Sequence, residues 1–220
     1  MEAIKKELEG NQSFLLRIEP MDHATRIRMP TEEELKDTDA SLKNRFEVLS
    51  KTTSGIQLTE ENQYQTTIPK RSLFSYADYK GKFKIDHFTV YEYLYKLYVE
   101  LGMQCVKAMD HKFRFSKIDP VVIFSVNNTF QILSIEHLRS EDLMNMEERS
   151  FWMISLGKLI LYELRRFTKK EIVNEEENPP TDNMIEDYRE DLDLIKGTPL
   201  YYGILYCLQP ELSKREYINI

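Results

Sequence analysis

Apolar residues recur every three or four positions between residues 88 and 109, which predicts one long amphipathic helix. The repeating positions are Phe88, Tyr91, Tyr95, Tyr98, Gly102, Cys105 and Met109. Asp86 precedes this run and is a candidate N-cap. Tyrosines at helical spacing are more typical of core packing than of a stacking platform for a ligand. We therefore expect a buried central helix.

A β-hairpin is predicted directly after this helix. Pro120 opens an apolar, β-branched run at residues 121–124, and a second run follows at residues 129–133. Asn127 and Asn128 separate the two runs, and asparagine tolerates the left-handed conformation that a tight hairpin turn requires. The pattern therefore indicates two antiparallel strands.

The pattern before residue 70 predicts a small α+β unit. Residues 1–10 fit a short charged helix, and residues 13–18 and 24–28 fit strands. Thr31 and Glu34 form a capping box for a helix over residues 31–51, whose apolar positions are Leu35, Leu42, Phe46 and Leu49. Residues 54–58 and 63–68 then fit a second hairpin.

The chain after residue 137 is predicted to be mainly helical. A long helix over residues 143–167 passes through an apolar stretch around Trp152, which suits burial at the centre of a helical lobe. Residues 169–193 are highly charged and fit a surface loop with a short amphipathic helix. The apolar residues 200–208 predict a last helix that packs back on the core.

Composition excludes several classes of function. The chain has 220 residues, enough for one two-lobed domain, and contains no apolar run near the length of about 18 residues that a membrane span needs. A net charge of -7 disfavours nucleic-acid binding, because such proteins use basic surfaces to replace counterions on phosphates. Two cysteines, Cys105 and Cys207, indicate neither a disulfide framework nor a metal cluster, so we expect a reducing compartment. The N-terminal residues lack the features of a signal or transit peptide, which makes the cytoplasm the expected location.

Several short motifs follow one another in an order known from one family. Residues 72–76 and 80–83 look like the helix and turn after a kinase hinge, and the central helix with its Pro-led hairpin follows them. Ser155-Leu156-Gly157 and Leu161-Tyr162-Glu163-Leu164 resemble the S-L-G-x-x-L-Y-E-L pattern of the central C-lobe helix, with one extra residue between the halves. Residues 205–215 resemble the L-x-x-L-x-x-D-P-x-x-R ending. The chain therefore resembles a protein kinase over residues 70–218.

This resemblance implies an α+β, reduced kinase-like two-lobed fold. Residues 1–70 would form a reduced N-lobe-like α+β segment with a small mixed sheet. Residues 71–220 would form a mainly helical C-lobe-like domain, and the two would make a single compact unit. By the same resemblance Trp152 belongs to the buried central helix, and Arg215 needs an anionic partner, for which Glu147 and Glu148 are candidates.

The residues that phosphoryl transfer requires are missing from the matching positions. The chain has seven glycines and no G-x-G-x-x-G loop. Lys117 stands at the position of the catalytic aspartate, Val122 at that of the magnesium-binding asparagine, and Ser134 at that of the D-F-G aspartate. No histidine or cysteine spacing indicates zinc. The resemblance thus predicts degenerate kinase positions, no catalytic or metal-binding residue and no cofactor.

We therefore expect a non-catalytic, pseudokinase-like scaffold or structural subunit that acts through protein–protein contacts. The expected partners are other proteins of a large assembly, of a cytoskeletal or ciliary kind, with no nucleic acid, membrane or small-molecule substrate. The expected location is the cytoplasm, with the cytoskeleton or the cilium axoneme as the specific site. The alternative is a nucleotide-binding or enzymatic α+β domain of another family with an unrecognised site.

Overall fold

A computed structural model describes residues 17–28, 41–54, 65–69, 73–76, 79, 89–169 and 184–219. These residues form a mixed α+β fold, as the sequence predicted. The predicted N-terminal helix, the N-cap candidate Asp86, the capping box at Thr31 and Glu34, and residues 55–58 of the second hairpin lie outside the described residues.

The N-terminal part contains a three-stranded antiparallel sheet and one helix. Strands β1 (Arg17–Pro20), β2 (Ala24–Arg28) and β3 (Gln65–Pro69) pair in the order β1-β2-β3. Helix α1 (Ser41–Thr52) buries Leu42, Phe46 and Leu49, which confirms that part of the predicted helix. The strand predicted at residues 24–28 is also confirmed, and its described partners are β1 and β3.

Helix α2 (Val90–Asp110) runs through the centre of the fold, with Thr89 at its N-cap. Its buried face includes Leu94, Leu97, Tyr98, Leu101, Cys105 and Ala108. The predicted face is confirmed at Tyr98, Gly102 and Cys105, whereas Tyr91 and Tyr95 are only half-buried. Leucine side chains fill the rest of the buried face, and the two half-buried tyrosines lie at its boundary, where a hydroxyl group reaches polar surroundings.

The predicted hairpin is confirmed. Two other segments of the same sheet region differ from the prediction. Residues Pro120–Val122 form a 3-10 turn, so strand β6 begins only at Ile123 and spans Ile123–Val126. Strand β7 (Thr129–Ile132) pairs with it across Asn127 and Asn128, whose φ angles of 49° and 64° define a type I′ turn. Residues Leu73–Ser75 form strand β4, which pairs with β6 and replaces the helix expected after a kinase hinge.

Helix α2 contacts the free edge of this sheet through polar side chains. The order β4-β6-β7 leaves β7 at an edge, where the outward N–H groups of Phe130 and Ile132 need acceptors. The Glu100 carboxylate accepts from Phe130 N at 2.7 Å. The Gln104 side chain accepts from Ile132 N at 2.7 Å and donates to Ile132 O at 3.1 Å. The helix therefore acts as the missing neighbour of this strand.

A two-stranded antiparallel ribbon pairs β5 (Phe113–Phe115) with β8 (Leu138–Ser140).

The long helix that the sequence predicts after this ribbon starts later than expected. Helix α3 spans Phe151–Lys169, while residues 141–143 and 148–150 form 3-10 turns. The Arg149 guanidinium donates to Glu141 O and Met144 O, and Asn145 and Glu148 cap each other's backbone N–H groups. These bonds favour turns over continuous helix. Trp152 is buried in the core, as predicted.

The C-terminal helices pack against α3. They are α4 (Met184–Asp187), α5 (Arg189–Asp193) and α6 (Pro199–Cys207), the last confirming the helix predicted at residues 200–208. The buried Asp191 of α5 accepts from Arg165 Nε at 2.9 Å and from Thr168 Oγ1 at 2.7 Å, so Arg165 neutralises this carboxylate and Thr168 adds a hydrogen bond to it. Among the described helices, none is long and apolar enough to cross a membrane.

We expect Gln104→Leu to lower the free energy of unfolding by about 2–4 kcal/mol, because the substitution leaves two buried backbone groups of Ile132 without partners. Glu92→Leu, at an exposed position of the same helix, is the matched control and should change stability little. Urea unfolding of both variants measures the difference. Equal stability of the Gln104 variant and the parent protein would show that the edge of β7 does not depend on this side chain.

Candidate functional site

The three degenerate positions lie on one antiparallel stretch of chain, residues 116–137. Ser116 N donates to His137 O at 2.7 Å, and Leu133 N donates to Val122 O at 2.9 Å. Strands β6 and β7 continue this pairing to the type I′ turn. The structure therefore brings Lys117, Val122 and Ser134 to one region, which we call the 116–137 ribbon.

Two of these side chains lie inside the core. Val122 is 5% exposed and Ser134 is 1% exposed. The Ser134 hydroxyl accepts a hydrogen bond from Glu136 N at 3.1 Å. Magnesium needs several oxygen ligands in octahedral geometry, whereas valine supplies none and this hydroxyl caps a turn. These two positions therefore do not form a cation site.

Lys117 lies at the surface of the ribbon and is paired with a carboxylate that the sequence analysis missed. Its Nζ is 3.5 Å from Asp119 Oδ2. Asp119 Oδ1 also accepts from Val121 N at 3.0 Å and caps the 3-10 turn that Pro120 opens. The Asp-Pro pair was a signal for this, since aspartate at an N-cap followed by proline is a common start of a helical turn. Asp119 therefore stabilises the start of the 3-10 turn at Pro120–Val122.

His137 lies at the end of the 116–137 ribbon and is half-buried. Partial burial lowers the pKa of its imidazole below the ordinary value of 6.5, and Lys117 and Arg139 act in the same direction. Glu136 and Asp119 oppose this shift. The histidine is therefore neutral at pH 7. Over the described ranges, no group of three or more His, Cys, Asp or Glu side chains is arranged to hold a metal ion.

A buried polar cluster joins Tyr76, Tyr93 of α2 and Glu163 of α3. Burial raises the pKa of the Tyr76 hydroxyl well above its usual range, and Tyr93 and Glu163 raise it further. Burial, and then Glu163, raises the pKa of Tyr93 in the same way. Both hydroxyl groups are therefore uncharged at neutral pH. The cluster fixes the segment after β4 against the two long helices and has the character of a structural contact.

Arg215 does not form the ion pair that the resemblance implied. Its guanidinium donates to Gln209 O at 3.0 and 3.2 Å and to Ser150 Oγ at 2.6 Å. In the described part of the chain, no carboxylate reaches ion-pairing distance of it. The carboxylate of Glu148 caps Asn145 N, and Ser150 Oγ donates to Glu147 O at 2.8 Å. Burial lowers the pKa of Arg215, an effect that Glu147 partly offsets. The expected carboxylate partner was therefore wrong, and a carbonyl and a hydroxyl replace it.

The segment after Arg215 lies on the core through one aromatic ring. Tyr217 covers Gly102 of α2 so closely that a Cβ atom there would be 2.1 Å from Tyr217 Cε2. The ring centroid is 5.2 Å from that of Tyr98 and 5.5 Å from that of Trp152. Tyr98 Oη donates to Ile218 O at 3.1 Å. A side chain at position 102 would therefore displace the Tyr217 ring from this position.

We expect Arg215→Ala to lower the free energy of unfolding by about 1.5–3 kcal/mol, the range for hydrogen bonds to charged groups. Lys214→Ala removes only an exposed pair with Glu211 and should cost at most about 1 kcal/mol. Chemical denaturation of the two neighbouring variants measures both effects. Because no carboxylate among the described residues pairs with Arg215, Glu147→Gln should leave most of the stability in place. A large loss in the Glu147 variant would restore the ion-pair interpretation.

The lowered pKa of His137 predicts a specific dependence of stability on pH. The unfolded imidazole binds a proton near pH 6.5, and the folded one binds it only at lower pH. The stabilising contribution is therefore complete above about pH 6.5 and is lost as the pH falls toward the folded pKa. His137→Asn should reduce the slope of unfolding free energy between about pH 7 and about pH 5, measured by urea titrations. An unchanged slope would contradict the assignment.

Comparison with known proteins adds no family to this description. Neither a scan against protein-family models nor a search of curated proteins finds a match for the chain.

Proposed function

We propose that this protein is a non-catalytic, pseudokinase-like scaffold or structural subunit that acts through contacts with other proteins. The observation that carries the proposal is the burial of Val122 and Ser134 in the core, at the positions where a kinase would hold magnesium. Lys117, at the position of the catalytic aspartate that would act as the base, is paired with Asp119. A side chain of opposite charge cannot accept the proton of a substrate hydroxyl.

The kinase-like part of the proposal is supported by the order and pairing of the elements. Helix α2 is followed by the 116–137 ribbon, then by the buried helix α3, and last by α6 with Arg215 after it. The sequence motifs that resemble a protein kinase occur in the same order. In this proposal the sheet β1-β2-β3 with α1 is the reduced N-lobe, and residues 71–220 are the C-lobe-like domain.

A role in protein contacts is supported by apolar side chains on firmly held backbone. Leu143, at the end of the 3-10 turn of residues 141–143, is 75% exposed, and Met146, between the two turns that precede α3, is 69% exposed. Exposed apolar groups on a preorganised loop lose little conformational entropy when a partner covers them. The partners in this proposal are other proteins of a large cytoplasmic assembly, of the cytoskeletal or ciliary kind expected from the sequence. No nucleotide cofactor is part of it.

We expect ATP with magnesium to leave the melting temperature unchanged. A nucleotide at about 100 times its Kd would stabilise the native state by about 2.7 kcal/mol, which a thermal-shift assay detects easily. An active protein kinase measured in the same plate is the positive control. A rise in melting temperature that grows with Mg-ATP concentration would overturn the non-catalytic interpretation. Ser134→Ala then distinguishes the ribbon from another nucleotide site, because only binding at the ribbon would change in that variant.

A further inference from the structure

Three basic side chains near the end of helix α2 have no anionic partner in the described part of the chain. Most described Lys and Arg side chains pair with a carboxylate, as Lys51 does with Glu47. Lys107, Lys112 and Arg139 form neither an ion pair nor a side-chain hydrogen bond with a described residue, and all three are exposed. We call these three residues the basic strip.

The backbone places the members of the basic strip next to one another. Lys107 lies in the last turn of α2, which ends at Asp110. The carbonyl of Lys112 accepts from Glu141 N at 2.9 Å, at the end of the ribbon formed by β5 and β8. Arg139 is two residues before Glu141, which is about 7 Å along a strand. The strip therefore continues from the end of the helix onto the ribbon.

The fold itself does not explain the charge of the strip. The C-terminal end of a helix favours a cation, which accounts for Lys107 alone. Arg139 is the Cα partner of Arg114 across the ribbon, and like charges directly opposite each other are destabilising. Glu141 neutralises Arg114 at 2.9 Å but leaves Arg139 unpaired. In a chain of net charge -7, residues 107–117 carry four Lys or Arg and one Asp. This local positive charge is therefore available to a group outside the fold.

The spread of the strip fits an extended chain of anions better than one small anion. Donors that bind a single phosphate converge on it at about 2.7–2.9 Å. The members of the strip belong to separate residues whose backbone positions are about 7 Å apart along a helix or strand. An extended polypeptide presents the side chains of one side at every second residue, which is also about 7 Å. Carboxylates at alternate positions of an extended segment therefore match the strip.

An apolar side chain next to the strip selects a polypeptide over a nucleic acid. Glu141, whose N–H donates to Lys112 O, begins the 3-10 turn that ends at Leu143, and Leu143 is 75% exposed. Nucleic acids bind basic surfaces through phosphates and through bases stacked on aromatic rings. Phe113 is half-buried and Phe115 is buried, so β5 offers no exposed ring for stacking. A polypeptide can supply both carboxylates for the strip and an apolar side chain for Leu143.

We propose that the basic strip docks an extended acidic segment of a partner protein, with an apolar residue of that segment against Leu143. This inference rests on the proposed function in protein contacts and names the chemistry of the partner: a run of Asp or Glu next to an apolar residue. The acidic remainder of the chain repels such a segment and directs it to the strip. Because these charges are exposed, salt should weaken the contact.

Fluorescence anisotropy with a labelled synthetic peptide tests the strip. The probe is a peptide of about ten residues that alternates Glu and Ser and ends in Leu, because about ten extended residues span about 33 Å and cover the strip. The parent protein should bind this peptide at low ionic strength. A variant that combines Lys107→Glu, Lys112→Glu and Arg139→Glu should bind it at least about tenfold more weakly. A parent protein that does not bind the peptide overturns the proposal.

A matched control separates the strip from net charge. Lys51→Glu, Lys196→Glu and Lys214→Glu together change the net charge equally, at exposed lysines elsewhere on the surface. This control variant should keep most of the affinity, and an equal loss in both variants contradicts docking at the strip. Because the strip side chains have no described partner, the strip variant should also keep the parent's melting temperature. A large fall would make these residues structural and overturn the proposal.

Two further probes test the polypeptide nature of the partner. Leu143→Ser should weaken binding of the peptide that ends in Leu and leave unchanged the binding of a peptide that ends in Ser. Equal effects on both peptides contradict the apolar contact. A single-stranded RNA oligomer of the same charge should compete poorly, and binding as tight as that of the peptide would overturn the choice of a protein partner. Stabilisation by Mg-ATP would contradict only the non-catalytic function, so the two failures are distinguishable.

Discussion

The rest of the structure depends on two hydrogen-bonding side chains of α2 that complete the edge of β7. Glu100 and Gln104 are four residues apart, which is a rise of about 6 Å along a helix. Their targets, Phe130 and Ile132, are two residues apart, which is about 6.8 Å along a strand. The spacings match only if helix and strand run nearly parallel. These bonds therefore fix both the direction and the register of the hairpin against the central helix.

Because the hairpin is held against α2, the surroundings of the degenerate positions Val122 and Ser134 are determined as well. Val122 precedes β6 and Ser134 follows β7 closely, so a hairpin that cannot slide holds both side chains in the core. The backbone on either side of these two positions is therefore held by α2 through hydrogen bonds to β7.

The sequence predicts elements whose cause is local and misses those whose cause is a distant partner. Asn127 and Asn128 predict the hairpin, because left-handed φ angles are a property of the turn itself. Gln104 gives no such signal, since a glutamine among leucines is explained only by the strand that it contacts. Residues 143–150 have helical spacing, but the Arg149 side chain captures carbonyl groups that a helix would use. Arg215 was assigned a carboxylate, because a sequence does not show which acceptors are already engaged.

The side-chain hydrogen bonds that stop α3 from starting earlier also determine which apolar side chains are exposed before this helix. In a continuous helix over residues 143–150, the helical period would determine the directions of the Leu143 and Met146 side chains. Instead, Leu143 at the end of the first 3-10 turn and Met146 between the two turns are exposed, while Met144 is buried. Arg114 adds to this restraint, with its guanidinium bonded to the Glu141 carboxylate at 2.9 Å and to Arg149 O at 3.4 Å. A loop with so many internal bonds has little entropy left to lose on association. These bonds therefore hold two exposed apolar side chains, Leu143 and Met146, on a restrained loop directly before α3.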